Sequence, residues 1–230
     1  MAMANCPHPY DIAAWGVALL DVCDKRAIAG PYNGYISHDT VQSFDLQPQY
    51  EGGERLSKAA GRGKVAASKL LPKQYKNSQG TMGVTMIHPE LRALLNGSEL
   101  YTNGNAFTIG GSGGGANGEL IPVWLQVWEY LDNGDCATDA ANSYEYVCHV
   151  YPYGYVMPVD GAMANKAYRP FTAQLDFQGL KPATGYQGPF GDIPADFFTA
   201  FTKTDWHYYF YTDALPDDSA CTLTHTHGGS

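Results

Sequence analysis

Ile36-Ser-His-Asp-Thr-Val-Gln-Ser-Phe-Asp-Leu-Gln-Pro-Gln-Tyr50 decides the fold class. From Ser43 to Tyr50 the residues alternate strictly. Ser43, Asp45, Gln47 and Gln49 stand on one side; Phe44, Leu46, Pro48 and Tyr50 stand on the other. That period of two describes a strand with one wet and one packed face. The wet face carries no positive charge. The residues that follow, Glu51-Gly-Gly-Glu54 and then Gly61-Arg-Gly-Lys-Val-Ala-Ala-Ser-Lys69, form a turn and a small-residue run. A one-sided sheet of this kind suits a wall facing water better than a catalytic pocket.

The same alternation recurs further along the chain. Thr81-Met-Gly-Val-Thr-Met-Ile87 puts Met82, Val84 and Met86 on one face, and Phe171-Thr-Ala-Gln-Leu-Asp-Phe177 is apolar at its odd positions. Thr172, Gln174 and Asp176 then make a second polar stripe. Glu119 to Leu131 reads as a long strand with Trp124 and Trp128 on one face. Tyr144 to Pro158 is another, with Pro152 pointing to an edge or a bulge. Lys64 to Leu71 is a short strand and Trp206 to Tyr211 an aromatic one. Trp15 to Cys23 is apolar and ambiguous between strand and helix. One helix is signalled over about 89–96: Pro89 fits its first turn, Glu90 suits the dipole, Leu91, Leu94 and Leu95 make a stripe, and Asn96-Gly97 stops it. Residues 1–12 read as an arm, Tyr101 to Gly118 as a turn-rich loop ending in a glycine run, Lys181 to Pro194 as loop, and residues 217–230 as a loose tail.

The bulk numbers agree with a mainly β chain. The 230 residues suffice for one large domain. Only 16 % of them are charged, against a usual share of about 25 %. Twenty-six glycines, 17 tyrosines and 14 prolines favour strands and turns over long helices. The expected fold is an antiparallel β-sandwich or partial barrel with one short helix, organised as a single domain.

Charge excludes one function class. The net charge is −9, and it is unevenly spread: residues 1–100 sum to +1 and residues 101–230 to −10. An acidic chain without a basic stripe does not bind nucleic acid by neutralising phosphates. It can still enclose nucleic acid without holding it. No apolar run approaches the ~20 residues of a membrane span, and no signal peptide is legible. The five scattered cysteines, Cys6, Cys23, Cys136, Cys148 and Cys221, read as reduced thiols of an intracellular product, with a single disulfide left open.

Motifs for catalysis or cofactor binding are incomplete in this sequence. Gly113-Gly-Gly-Ala-Asn-Gly118 matches GxGxxG in form, but a strand rather than a helix follows it, so a pyrophosphate would find no helix N-terminus. His225-Thr-His227 offers two imidazoles near a chain end without a third ligand nearby. His8, His38, His88, His149 and His207 stand isolated in the sequence, in no triad or HExxH context. Asp217-Asp218 and Asp132 with Asp135 lie in turns. No catalytic residue, cofactor or metal site is expected.

The chain resembles the major tail tube proteins of long-tailed bacteriophages, of the type common in phages of actinobacteria. The resemblance spans about residues 14–216. It is carried by the order of Ile36 to Tyr50 with Glu51-Gly-Gly-Glu54, Gly61-Arg-Gly63, Asn77 to Leu95 with Pro89-Glu-Leu91, the tryptophan strand after the glycine loop, Gly188-Pro-Phe-Gly-Asp192, and Trp206 to Pro216. Glu54, the basic stretch from Lys64 to Leu71 and the His225 tail depart from the family pattern.

The resemblance implies a non-enzymatic virion protein. Its copies would form rings, typically hexameric, that stack into a tail tube assembled in the host cytoplasm. Partners would be other copies of the chain together with tape-measure, tail-tip and tail-terminator proteins. DNA would pass through without specific binding, and no membrane would be involved. Within that frame Ser43, Asp45, Gln47 and Gln49 are expected to face the lumen, and Gly110, Gly111, Ser112, Gly113, Gly114 and Gly115 to form a ring-stacking loop. The competing class is a phage carbohydrate-binding β module or β-sandwich enzyme, which the aromatic strands would suit; a capsid-decorating protein is a third.

Overall fold

The structure, a computed structural model, describes residues 8–20, 34–38, 40–53, 55–59, 65–85, 95, 100–103, 106–109, 120–132, 144–159, 171–183, 185–190, 193–194, 196–199, 201–202 and 205–216. Its strands in chain order are β1 (His8–Leu19), β2 (Gly34–His38), β3 (Val41–Gly52), β4 (Arg55–Ala59), β5 (Val65–Leu70), β6 (Lys73–Val84), β7 (Leu100–Asn103), β8 (Ala106–Ile109), β9 (Val123–Asp132), β10 (Tyr146–Val159), β11 (Phe171–Phe177) and β12 (Tyr208–Thr212). Eight of them form one antiparallel sheet in the order β2-β1-β9-β10-β11-β6-β3, with β12 also pairing β10. Two hairpins, β4-β5 and β7-β8, stand apart from it.

The sheet is curled but not closed. Its two edge strands, β2 and β3, lie at opposite ends of the strand order, yet only residues 39 and 40 separate them in the chain. That link forces the edges together at one corner. Trp15 Nε1 on β1 donates to Thr40 Oγ1 there at 3.0 Å, and Phe44 on β3 meets Tyr151 on β10 across the interior, ring centroids 5.6 Å apart. The expected partial barrel is thus a single rolled sheet rather than two packed layers.

Both faces of its central strands are buried. The concave side holds Trp15, Val17, Met82, Val84, Leu125, Val127, Tyr151, Val156, Leu175 and Phe177. The convex side of β1, β9 and β10 holds Ala14, Trp124, Trp128, Cys148 and Val150, covered by Ile193, Phe197 and Phe198 from the stretch after β11. Two-sided burial explains why β9 reads as a near-continuous apolar run while β3 and β11 alternate. At roughly 1.5–3 kcal/mol for each fully buried large apolar side chain, these clusters supply the main driving force for folding.

Of the edge or bulge expected at Pro152, the structure shows the bulge. The β9–β10 register shifts between Tyr151 and Gly154, and the facing parity of β10 switches with it. Tyr151 before the shift and Val156 after it both point into the concave core, while Val150 and Tyr153 point out. The bulge is what lets one 14-residue strand serve β12 at its start and β11 at its end.

Some expectations are refined. Trp15 lies in a strand, and β1 runs back to His8, into the stretch read as an arm. The stretch from Tyr101 contains a short hairpin, Leu100–Asn103 with Ala106–Ile109. The expected helix over 89–96 lies outside the described residues except for Leu95, which is helical and buried. Among the described residues no helix is long and apolar enough to cross a membrane.

Candidate functional site

Among the described residues nothing covers the convex side of β3, β6 and β11. Ser43, Asp45, Gln47 and Gln49 are all exposed on it, whereas Phe44, Leu46 and Pro48 are half-buried beneath. The alternation ends at Tyr50, which is 57 % exposed because the β3–β6 register shifts between Gln49 and Tyr50.

Register merges the two polar stripes of the sequence into one surface. β6 sits between β3 and β11, so each row crosses three strands. Ser43 lies level with Gly83 and Thr172, Asp45 with Thr81 and Gln174, and Gln47 with Gln79 and Asp176. Gln49 adds Asn77. None of these residues is cationic. Asp45 and Asp176 are the two carboxylates of the face, and amides screen both. Asn77 Nδ2 donates to Asp176 Oδ1 at 2.8 Å, and Gln47 Nε2 reaches the oxygens of Asp45 at 3.3 and 3.4 Å. The face therefore presents carboxylates, amides and hydroxyls to water.

Backbone packing on the opposite, packed side holds β6 close to β3. Gly80 lies between Leu46 and Leu175 in its row, and a Cβ there would collide with the Asp45 carbonyl oxygen. Only glycine allows β6 to approach β3 this closely.

The structure also joins residues that the sequence leaves apart. His149 on β10 and His207, just before β12, stack with centroids 5.1 Å apart, and His149 Nδ1 lies 2.8 Å from His207 Nε2. Glu129 Oε2 is 3.3 Å from His149 Nε2, without hydrogen-bond alignment. Tyr151 stacks on His207 from the other direction. Burial, and secondarily His149, hold His207 down to about 4, so it is neutral at neutral pH. With His207 neutral, its Nε2 proton can be donated to Nδ1 of His149. Burial likewise pushes Tyr151 upward, with Glu129 adding to it. Among the described residues no three His, Cys, Asp or Glu side chains could hold a metal ion. Cross-strand pairing of β10 with β12, absent from any local signal, is what brings these imidazoles together.

The remaining sequence candidates divide simply. Gly110, Gly111, Ser112, Gly113, Gly114 and Gly115 lie outside the described residues, as do His225 and His227. Cys148 is a buried thiol that accepts from Gln126 Nε2 at 3.3 Å; the other four cysteines lie outside the described residues. Comparison with protein-family models finds none that matches this chain, and comparison with curated proteins finds no relative.

Proposed function

We propose that this chain is a structural subunit of the tail tube type, whose copies associate into stacked rings, hexameric as the resemblance implies, around a DNA-delivery channel. The observation that carries this reading is the continuous uncharged-to-acidic face of β3, β6 and β11. DNA retains proteins that neutralise its phosphates, releasing counterions as they do so. A wall built of Ser43, Asp45, Gln47, Gln49, Gln79, Thr81, Thr172 and Gln174 offers nothing to neutralise them. A rolled sheet that is not closed also suits a protein whose strands are completed by neighbours, because open sheet edges are otherwise an aggregation liability. The role needs no cofactor, metal or catalytic residue. It places the chain in a virion tail assembled in the host cytoplasm, with tape-measure, tail-tip and tail-terminator proteins as partners.

Electron microscopy of the concentrated protein, alone and with tail-tip and tape-measure partners, tests the reading. Rings or tubes with a central channel are expected. A monodisperse monomer under all of these conditions overturns it.

A further inference from the structure

Tyr144 and Tyr211 meet with ring centroids 5.8 Å apart and planes 26° from parallel. Both rings are open to water, at 41 % and 44 % exposure. They are distant in the chain, and the sheet joins them. β12 pairs with the start of β10, placing Tyr211 opposite Val147 and Thr212 opposite Tyr146. The Glu145 N–H donates to the Thr212 carbonyl at 3.1 Å, which carries the ladder past the end of β10 and brings Tyr144 to the same corner. On the other strand Thr212 Oγ1 donates to the Ala214 carbonyl at 3.2 Å and accepts from the Ala214 N–H at 3.3 Å, fastening the chain directly after Tyr211. Backbone beside both tyrosines is thus hydrogen-bonded, and the rings stack on each other.

The stacked geometry suits one reaction. Coupling of two phenols joins an ortho carbon of one ring to an ortho carbon of the other, so the ring edges must overlap. Offset, nearly parallel rings meet that requirement. Tyr209–Tyr211 and Tyr50–Tyr75 also have exposed members, but they meet edge to face, at 88° and 79°. Tyr130–Tyr146 is tilted by 46° and half-buried. Tyr209 has a different part. Its ring centroid lies 6.2 Å from that of Tyr211. Electron transfer between two like phenols is close to thermoneutral, so a radical formed on Tyr209 passes to Tyr211 and arrives at the pair.

We propose that Tyr144 and Tyr211 are an oxidative modification site, at which a haem peroxidase with hydrogen peroxide, acting as a one-electron oxidant, joins the two rings as a dityrosine. Each phenol loses one electron and its hydroxyl proton. The two phenoxyl radicals form a carbon–carbon bond between ortho positions. The hydrogens on the joined carbons move through solvent to the ring oxygens and restore both phenols. The pair loses two hydrogen atoms in all, and these reduce one hydrogen peroxide to two waters. The new bond staples β12 to β10. It also closes the chain around β11 and around Ile193, Phe197 and Phe198, which cover the convex core, so the product resists unfolding more than the parent does. Both rings belong to one chain, so the inference does not depend on the proposed assembly.

Peroxidase and hydrogen peroxide, applied to the dilute full chain, test it. Dityrosine fluorescence, intact mass and peptide mapping are the readouts. The expected product is a single chain lighter by two hydrogen atoms, with the Tyr144 peptide joined to the Tyr211 peptide. Because the rings are already placed, its yield should exceed that of Tyr144→Phe or Tyr211→Phe at least about tenfold. Tyr209→Phe should keep most of the yield. Phenylalanine keeps the ring and removes only the hydroxyl, and mapping of the parent's own product needs no variant. In concentrated urea the parent should lose its selectivity for these two positions. Oxidation should raise the urea midpoint of the parent and leave that of Tyr211→Phe unchanged. Coupling of Tyr211 to Tyr209 instead, coupling only between chains, or parental yield in either of the first two variants overturns the inference. So does equal selectivity in folded and unfolded chains, or an unchanged midpoint in the coupled parent.

Discussion

Trp15 Nε1 donates to Thr40 Oγ1 at 3.0 Å, and that hydroxyl is also 2.9 Å from Ser37 Oγ. The pair joins β1 to the short link between the two edge strands, so it holds the rolled sheet at the corner where it comes nearest to closing. Trp15 itself is fully buried in the concave core.

Thr40→Val should therefore destabilise the chain by about 1–3 kcal/mol, since it keeps the side-chain shape but leaves a buried indole N–H without its acceptor. Thr40→Ser, which retains the hydroxyl, should cost less than half of that. Urea denaturation followed by tryptophan fluorescence measures both.

Gly80→Ala should be among the most damaging single-methyl changes. The added Cβ would meet the Asp45 carbonyl, a backbone atom that moves only if β3 and β6 separate. A loss of about 3 kcal/mol is expected, at the upper end of the usual overpacking range. A thermal midpoint within a degree or two of the parent's would show that the strands part more easily than this packing indicates.

Acid should weaken the fold through His207. Its folded value, about 4, lies below the ordinary 6.5, so the unfolded chain binds a proton there first as pH falls. The folded state keeps its full stability above pH 6.5 and loses up to about 2–3 kcal/mol between 6.5 and 4. His207→Phe preserves the stack with Tyr151 and Trp206 and removes the titration. Melting curves between pH 7 and 4.5 should show a shallower loss in that variant than in the parent.

Lysine on the polar face should change function and spare the fold. Asp45→Lys with Gln47→Lys alters two exposed side chains and leaves Phe44 and Leu46 in place, so stability should shift by no more than about 0.5 kcal/mol. If this face lines the channel, each ring repeats the new cations and DNA is retained in a salt-sensitive way. Genome delivery at low ionic strength is the measurement; delivery at the parental rate would place the face elsewhere.

Local pattern alone determined much of this protein. Period-two alternation marked β3 and β11, the apolar run with its two tryptophans marked β9, and Pro152 marked an edge or a bulge, because side-chain direction in a strand depends only on its own residues. The wet side of Ser43 to Gln49 was legible for the same reason. Tertiary pairing decided the rest. Thr172, Gln174 and Asp176 appeared as a rival stripe to Ser43, Asp45, Gln47 and Gln49; only the central position of β6 makes them one face. His149 and His207 stand 58 residues apart and carry no local sign of contact; their 2.8 Å approach exists because β12 pairs with the first half of β10. Trp15 was ambiguous between helix and strand because a run buried on both faces shows no period, and its partners on β2 and β9 resolve it. Curl, likewise, belongs to no single segment. It follows from two edge strands that the chain connects through residues 39 and 40.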